Sequence, residues 1–234
     1  EVNPQAILKH KGIIANPNCS TIIMVMALKP IYDLAKIKRV IVSTYQAVSG
    51  AGKEGIDELD AQVREHSEGR EMTANILPSS SAEKHYPIAF NLIPQIDVFC
   101  DNLYTKEEMK MVNETKKIME DYEMRITATT IRVPVYRSHS ESVNIELEKE
   151  VDLGAMREAL AKFPGVTVQD DPSKQEYPMP LYTSEKDDVY VGRLRRDESC
   201  EKSYNMWVVG DQIRKGAALN TLQIAETMIK NGWI

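Results

Sequence analysis

One cysteine lies where the chain can give its thiol unusual chemistry. Cys19 follows Asn16-Pro17-Asn18 and precedes Ser20 and the largely apolar run 21–29. Because the residue before a proline is disfavoured in the α conformation, the sequence predicts a turn here that opens a buried helix. Backbone N–H groups and the helix dipole favour an anion at such a place, which predicts a lowered thiol pKa and a thiolate able to form a thioester with a carbonyl carbon. A buried structural cysteine is the alternative that the pattern leaves open.

A second candidate pair lies where a predicted strand ends. Residues 124–135 are rich in Thr, Ile and Val, which predicts a strand with Arg132 near its end. His139 follows in the turn Tyr136-Arg-Ser-His-Ser, so that both side chains are able to face a common cleft. An exposed histidine on a turn is the alternative.

A capping box predicts the start of a helix at Thr105, with Glu108 as its partner. Glu107 and Lys110 are three residues apart on that helix and therefore lie on one face. Their spacing alone favours a solvated ion pair worth about 0.2–0.5 kcal/mol.

The segment Gly50-Ala-Gly-Lys-Glu-Gly matches the GxGxxG pattern of dinucleotide-binding proteins. It follows a predicted strand, Val40–Tyr45, and precedes a helical stretch, Ile56–Glu65. The fingerprint also needs an acidic residue at the end of a second strand about 20 positions further on. That region, Glu68-Gly-Arg-Glu-Met-Thr, is typical of a loop, so we interpret the glycines as a loop beside the site.

The composition is that of an ordinary globular protein. The 234 residues are 42% hydrophobic and 27% charged, and the net charge is −6 without a Lys/Arg cluster, so neither nucleic acid nor a membrane surface is an expected partner. Three widely spaced cysteines and four histidines without HxxxH spacing predict no disulfide framework and no metal site. No apolar run approaches a membrane span and no signal peptide opens the chain, so we expect a cytoplasmic location.

Strands and helices alternate along the chain, which predicts an α/β domain with a mixed sheet. The predicted strands cover 40–45, 124–135, 143–148, 166–169, 189–195 and 204–209. The predicted helices cover 21–29, 56–65, 105–121, 152–163 and 215–230.

Taken together, these segments resemble the aspartate-semialdehyde dehydrogenases of the bacterial type. The matching stretches occur in family order over nearly the whole chain. They include Asn16-Pro-Asn-Cys-Ser-Thr, Ser43-Thr-Tyr-Gln-Ala-Val-Ser-Gly-Ala-Gly, His85-Tyr-Pro-Ile-Ala-Phe-Asn, Glu107-Glu-Met-Lys, Arg132-Val-Pro-Val-Tyr-Arg-Ser-His-Ser-Glu and Lys215-Gly-Ala-Ala-Leu-Asn.

The resemblance implies a fold and a reaction. The fold is the C-terminal domain of the glyceraldehyde-3-phosphate-dehydrogenase type, α/β (α+β), with a mixed, largely antiparallel sheet and helices on one face. The reaction is the NADPH-dependent reduction of L-aspartyl-4-phosphate to L-aspartate 4-semialdehyde and phosphate, on the route to lysine, threonine and methionine. The resemblance also implies a homodimer or tetramer.

The resemblance further implies roles for nine residues. Cys19 is the expected nucleophile, His139 the acid/base that handles the proton of the hemithioacetal, and Gln46 the glutamine beside the nucleophile. The substrate would meet Arg132 at its α-carboxylate, Glu107 at its ammonium and Lys110 at its phosphate. The residues expected near the nicotinamide end of NADP are Ser49, Gly50 and Asn220.

One departure from the family pattern concerns domains. The family begins with a doubly wound nucleotide-binding domain, and nothing in this sequence corresponds to it. We therefore expect residues 1–18 to be the remnant of an inter-domain segment, 19–210 the catalytic and dimerisation domain, and 211–234 a C-terminal helix that packs on the nucleotide-binding domain. Residues 217–228 are then expected to show an apolar face without an intrachain partner, and the chain alone to be inactive.

Three other functions are compatible with parts of this pattern. An enzyme like N-acetyl-glutamyl-phosphate reductase uses the same thioester chemistry, but the Asn-Cys-Ser-Thr context and the Glu107/Lys110 helix argue against it. A non-catalytic oligomerisation module would not need to retain the six residues Cys19, Gln46, Glu107, Lys110, Arg132 and His139 together. A cysteine hydrolase using Cys19 and His139 would need an Asn or Asp that orients the histidine, and none can be assigned.

Overall fold

A six-stranded mixed sheet organises the chain, which a computed structural model describes over residues 1–234. The strands are β1 (Ile37–Gln46), β2 (Arg125–Arg132), β3 (His139–Leu147), β4 (Val166–Val168), β5 (Val189–Arg196) and β6 (Ser203–Gly210), in the order β2-β1-β3-β6-β5-β4. The pairs β1–β3, β3–β6 and β5–β6 are antiparallel, whereas β1–β2 and β4–β5 are parallel. The expected mixed, largely antiparallel sheet is confirmed.

Six helices accompany the sheet. They are α1 (Cys19–Leu34), α2 (Lys53–Ser67), α3 (Lys106–Ile118), α4 (Leu153–Lys162), α5 (Pro180–Thr183) and α6 (Leu219–Lys230). Helix α1 lies on one face of the sheet with α3 and α4 beside it, as the resemblance implies. None of these helices has both the length and the apolar composition needed to cross a membrane.

Helix α1 is the centre of the core. Its first turn is capped by Asn18, whose Oδ1 accepts a hydrogen bond from Thr21 N at 3.1 Å. Its buried residues pack with the inward side chains of the strands in one hydrophobic cluster of 27 residues. Each Å² of apolar surface buried in this cluster stabilises the fold by roughly 25 cal/mol. The packing therefore fixes the start of α1 relative to the ends of the strands.

The side of the sheet that faces α1 changes from apolar to polar along the strands. Alternation places the buried Val40, Val42, Val143 and Ile145 on this side. Towards the end where α1 begins, the same side carries polar residues. Thr44 on β1 lies opposite Glu141 on β3, and Gln46 on β1 lies opposite Arg132 on β2. His139 on β3 lies opposite Gly210 on β6. The polar end of the sheet therefore meets the start of α1.

Helix α6 agrees with the predicted exposed apolar face. A π-helical turn, Arg214–Ala218, leads into it, and the segment Pro4–Lys9 packs against it. Ala218, Leu222, Ala225 and Ile229 share one helix face by their spacing and are all exposed.

Candidate active site

Cys19 is the first residue of α1, and its position is held through Asn18. The backbone N–H of Asn18 donates to Glu114 Oε2 at 2.8 Å, and Asn18 Nδ2 donates to Glu107 Oε1 at 2.8 Å. Since its Oδ1 also accepts from Thr21 N, hydrogen bonds hold the backbone nitrogen, Nδ2 and Oδ1 of Asn18 in place. Asn18 is a site residue that the sequence interpretation did not single out, although Asn is a preferred N-cap residue.

The thiol of Cys19 is less acidic than expected. Burial raises the pKa of Cys19 to about 12, the negative charge of Glu107 adds to this effect, and a hydrogen bond from Ser20 and the charge of Arg132 oppose it. The prediction of a lowered pKa at a helix start is therefore wrong for this arrangement, because desolvation and a nearby carboxylate outweigh the helix terminus.

Glu107, in the first turn of α3, contacts three polar side chains. Its Oε1 accepts hydrogen bonds from Asn18 Nδ2 and from Gln46 Nε2, the latter at 3.3 Å, and its Oε2 lies 3.3 Å from Lys110 Nζ. Glu107 is only 6% exposed, so it is buried and not part of a solvated helix face. Lys110 is half exposed and also contacts Asp97 Oδ2 at 3.2 Å.

Arg132 ends β2 and is almost completely buried. Its Nη1 donates to the carbonyl oxygen of Ala47 at 2.7 Å, and its Nε is buried without a partner. Burial lowers the pKa of Arg132, and the charges of Glu107 and Cys19 work against that effect. A planar guanidinium with a buried N–H to spare is suited to a ligand carboxylate.

His139 is the first residue of β3 and fully buried, so the alternative of an exposed histidine on a turn is wrong. Its Nδ1 accepts a hydrogen bond from the backbone N–H of Ala47 at 3.1 Å, and its Nε2 has no partner. Burial lowers the pKa of His139 well below its usual value, and the positive charge of Arg132 adds to this. Both effects favour the neutral imidazole over the imidazolium.

The glycine loop lies against these two side chains. It is a 3₁₀ turn, Val48–Ala51, and a Cβ added at Gly50 would lie 2.6 Å from Arg132 Nη1 and 3.3 Å from His139 Nε2. In the dinucleotide fingerprint, a second parallel strand ends about 20 residues after the glycines. Here the strand that pairs in parallel with β1 is β2, which begins only at Arg125. The interpretation of a glycine loop next to the candidate residues agrees with this geometry.

Gln212 connects the glycine loop to the start of β3. Its Oε1 accepts a hydrogen bond from the backbone N–H of Ser138 at 2.9 Å, and its Nε2 donates to Ser49 Oγ. No local pattern in the sequence marks Gln212, because its partners lie 74 and 163 residues away.

The start of the C-terminal segment closes the site on the side of Cys19. A Cβ added at Gly216 would lie 2.9 Å from Cys19 Cβ, so only glycine fits there without displacement. Asn220 Nδ2 donates to Asn16 Oδ1 at 2.7 Å, and Asn16 Nδ2 reaches the carbonyl oxygen of Gly216 at 3.5 Å. Gln46 and Lys110 are thus joined to the start of α1 through Glu107, and Asn220 is joined to it through Asn16, while Gly50 lies against Arg132 and His139.

Comparisons with known proteins identify the relatives of this chain. The sequence model of the family described as "Semialdehyde dehydrogenase, dimerisation domain" matches residues 28–215. The aspartate-semialdehyde dehydrogenase of Aquifex aeolicus is 54% identical over 100% of this chain and 68% of its own length. The Bacillus subtilis enzyme is 51% identical over 98% of this chain and 67% of its own length.

A solved structure of a relative has the same fold as this chain. The crystal structure of aspartate semialdehyde dehydrogenase II of Vibrio cholerae, complexed with ASA, superposes with a TM-score of 0.91 at 45% identity. It covers 98% of this chain and 66% of the Vibrio chain. The present chain thus spans about two thirds of the length of these relatives.

Proposed function

Since the chain belongs to the aspartate-semialdehyde dehydrogenase family, we propose that its site carries out the reductive dephosphorylation of L-aspartyl-4-phosphate to L-aspartate 4-semialdehyde. NADPH is the proposed reductant, and the product feeds lysine, threonine and methionine biosynthesis. The single observation that carries the proposal is a cysteine at a helix start that is close enough to Arg132 to sense its charge, as His139 is. Arg132 Nε and His139 Nε2 are both buried without a partner.

Cys19 is the proposed nucleophile. Its thiolate adds to the acyl carbon of the substrate, phosphate leaves, and an aspartyl thioester remains. The resting thiol is held protonated by burial and by Glu107. A substrate ammonium group bound to Glu107 would neutralise that carboxylate, so binding of the substrate itself would favour the thiolate.

The substrate's three charged groups have complementary partners in the site. Arg132 is proposed to bind the α-carboxylate, since its Nε has no partner within the chain. Glu107 is proposed to bind the ammonium group. Lys110, half exposed beside Glu107, is proposed to bind the phosphate. Gln46, which donates to Glu107, is proposed to orient that carboxylate next to Cys19.

The nicotinamide end of NADP is proposed to lie beside Ser49, Gly50 and Asn220. The lack of a side chain at Gly50 supports this, because a Cβ there would fill space in front of His139 and Arg132. When bound, NADPH would supply the hydride. Most of its site would belong to the nucleotide-binding domain of the family, and we propose that the chain is inactive without such a domain. The exposed face of α6 is proposed to pack on it.

We further propose that the chain assembles as a homodimer or tetramer in the cytoplasm. The matching family is described as a dimerisation domain, which supports self-association. The sheet face opposite α1 is the proposed contact surface, since it carries half-buried apolar side chains such as Ile41, Tyr45 and Trp207.

One observation argues against the hydrolase alternative. A catalytic triad needs an N–H at His Nδ1 that donates to an orienting carboxylate or amide oxygen. Here Nδ1 of His139 accepts a hydrogen bond from a backbone N–H instead. The sister reductase is disfavoured because the Aquifex and Bacillus relatives, at 54% and 51% identity, are aspartate-semialdehyde dehydrogenases.

The substrate class is tested by phosphate-dependent oxidation of two aldehydes with the protein at its natural length. We expect NADP reduction with L-aspartate 4-semialdehyde and a much lower kcat/KM with N-acetyl-glutamate semialdehyde. A preference for the second aldehyde, or equal use of both, would contradict the proposed substrate.

A further inference from the structure

A buried lysine that the proposed chemistry does not use lies next to the glycine that closes the site over Cys19. Lys215 is 1% exposed, and its Nζ donates to Glu1 Oε1 at 2.6 Å and to Gln223 Oε1 at 2.7 Å. Its neighbour in the chain, Gly216, is in contact with Cys19. A buried ammonium group is rarely found unless it is paired, and here the ion pair joins segments that are 214 residues apart.

Glu1 gives this ion pair a fixed position in the domain. Its Oε1 lies against the turn between α4 and β4, where a Cβ added at Gly165 would be 3.2 Å away. Val2, the next residue, packs against the main hydrophobic cluster. Lys215 is therefore bound to the core of the domain and not only to its own helical segment.

The segment that contains Lys215 and Gly216 has an unusual geometry. In the π-helical turn Arg214–Ala218, the backbone N–H groups of Gly216 and Ala218 donate to carbonyl oxygens five residues back, at 3.1 and 2.9 Å. Such turns are rare and are found frequently at functional sites. This one brings Gly216 so close to Cys19 that an added Cβ would lie 3.2 Å from Cys19 Cα.

Side chains hold the π-helical turn at both ends. Before it, the fully buried Asp211 accepts hydrogen bonds through Oδ1 from two backbone N–H groups at the start of the turn, both at 2.9 Å. After it, Asn220 Nδ2 donates to Asn16 Oδ1 at 2.7 Å. Between these two points, Lys215 supplies the buried side-chain contact with another part of the chain.

We propose that Lys215 is a positioning residue for Cys19, because its ion pair with Glu1 holds the π-helical turn against the nucleophile. Its Nζ is bonded within the chain and the side chain is almost inaccessible, so a ligand does not reach it in this arrangement. The expected effect on turnover rests on the proposed function, whereas the contact between Gly216 and Cys19 does not.

Release of the π-helical turn has a different effect on Cys19 from loss of a charge. If the turn moves away, the desolvation that raises the pKa of Cys19 becomes weaker, and the thiolate forms more readily. If Lys215 acted only through its positive charge, its removal would disfavour the thiolate, and removal of the Glu1 charge would favour it. Positioning therefore predicts the same direction for both changes, and charge alone predicts opposite directions.

Alkylation of Cys19 by iodoacetamide, in the protein at its natural length, distinguishes these two cases. For Lys215→Met we expect the rate at pH 8 to rise by roughly tenfold, which corresponds to about one pKa unit, and for Glu1→Gln by a smaller factor. Lys230→Met, at the exposed end of α6, is the matched control with no expected change. An unchanged or slower reaction in Lys215→Met, or opposite changes in the two variants, would overturn the proposal.

Steady-state kinetics separate a positioning role from a binding role. We expect kcat for L-aspartate 4-semialdehyde to fall by roughly 10- to 100-fold in Lys215→Met at an unchanged KM for phosphate, since misplacement of a reacting group by about 1 Å can cost about 10² in rate. The double variant Lys215→Met/Glu1→Gln should be no slower than Lys215→Met, because both changes break one contact. A raised KM for phosphate at unchanged kcat, or effects that multiply in the double variant, would contradict the proposal.

Two further variants keep the proposal testable if Lys215→Met does not fold, which circular dichroism shows. Glu1→Gln retains the shape of the side chain, and Gly216→Ala displaces the turn from Cys19 while Lys215 keeps its partner. Faster alkylation in Gly216→Ala together with an unchanged rate in Glu1→Gln would show that the turn is positioned without the ion pair, and would overturn the proposal. If the proposed function alone is wrong, the semialdehyde is not oxidised but the alkylation rates change as expected.

Discussion

Arg132 and His139 are hydrogen-bonded to the two sides of one residue, Ala47. Arg132 Nη1 donates to its carbonyl oxygen at 2.7 Å, and its backbone N–H donates to His139 Nδ1 at 3.1 Å. Because both side chains are buried, the residue that follows β1 fixes the proposed carboxylate-binding group relative to the candidate catalytic histidine. A change at Arg132 is therefore expected to affect the histidine as well.

Arg132→Lys is expected to raise KM for aspartate semialdehyde by roughly 10- to 100-fold, since a hydrogen bond to a charged group contributes about 1.5–3 kcal/mol. Lysine keeps the charge but loses the planar fork. Steady-state kinetics check this, with Arg125→Lys on the exposed part of the same strand as a matched control. An unchanged KM would rule out Arg132 as the carboxylate ligand.

Glu107→Gln is expected to lower the pKa of Cys19, because the negative charge that disfavours the thiolate is removed. Alkylation by iodoacetamide, followed by peptide mass spectrometry, measures the thiolate fraction as a function of pH. The Cys19 profile should shift to lower pH in Glu107→Gln and stay in place in Glu120→Gln, which changes an exposed carboxylate beyond the end of α3. A shift to higher pH would contradict the assigned electrostatics.

Glu141→Gln is expected to stabilise the fold, and more strongly at high pH. Folding raises the pKa of Glu141 well above 4.5, so above that value the folded state binds more protons than the unfolded state. Stability is therefore lost as the pH rises from the unfolded pKa through the folded one. Glutamine removes the ionisation and keeps the shape of the side chain.

Thermal unfolding at two pH values measures the effect of Glu141→Gln. We expect a Tm gain of roughly 3 °C or more at pH 8 and a smaller gain at pH 5. Glu201→Gln, at an exposed position, is the control with no expected pH-dependent gain. A gain of the same size at both pH values would show that Glu141 does not titrate differently on folding.

Local patterns predicted the elements that position the site. The capping box at Thr105, the apolar run after Cys19 and the alternation in β3 all depend on neighbours within a few residues. The two helices form where they were expected, whereas β3 begins at His139, within the predicted turn, and not at Val143. These signals depend on the spacing of apolar residues and on capping residues, and both can be read from a single sequence.

The site's electrostatics could not be predicted in the same way. The pKa of Cys19 depends on Glu107, which lies far along the chain, and on burial by several elements at once. The state of His139 depends on the backbone amide of Ala47, for which no side-chain type gives a signal. Gln212 contributes through two long-range hydrogen bonds that no spacing rule captures.

Covalent catalysis by Cys19 is tested most directly by trapping its acyl form. The protein at its natural length is incubated with L-aspartate 4-semialdehyde and NADP without phosphate, acid-quenched, digested and analysed by mass spectrometry. The account predicts an aspartyl adduct on the Cys19 peptide that disappears on addition of phosphate and is absent in Cys19→Ser. An adduct on Cys100 or Cys200 instead, or semialdehyde oxidation that persists in Cys19→Ser, would contradict it.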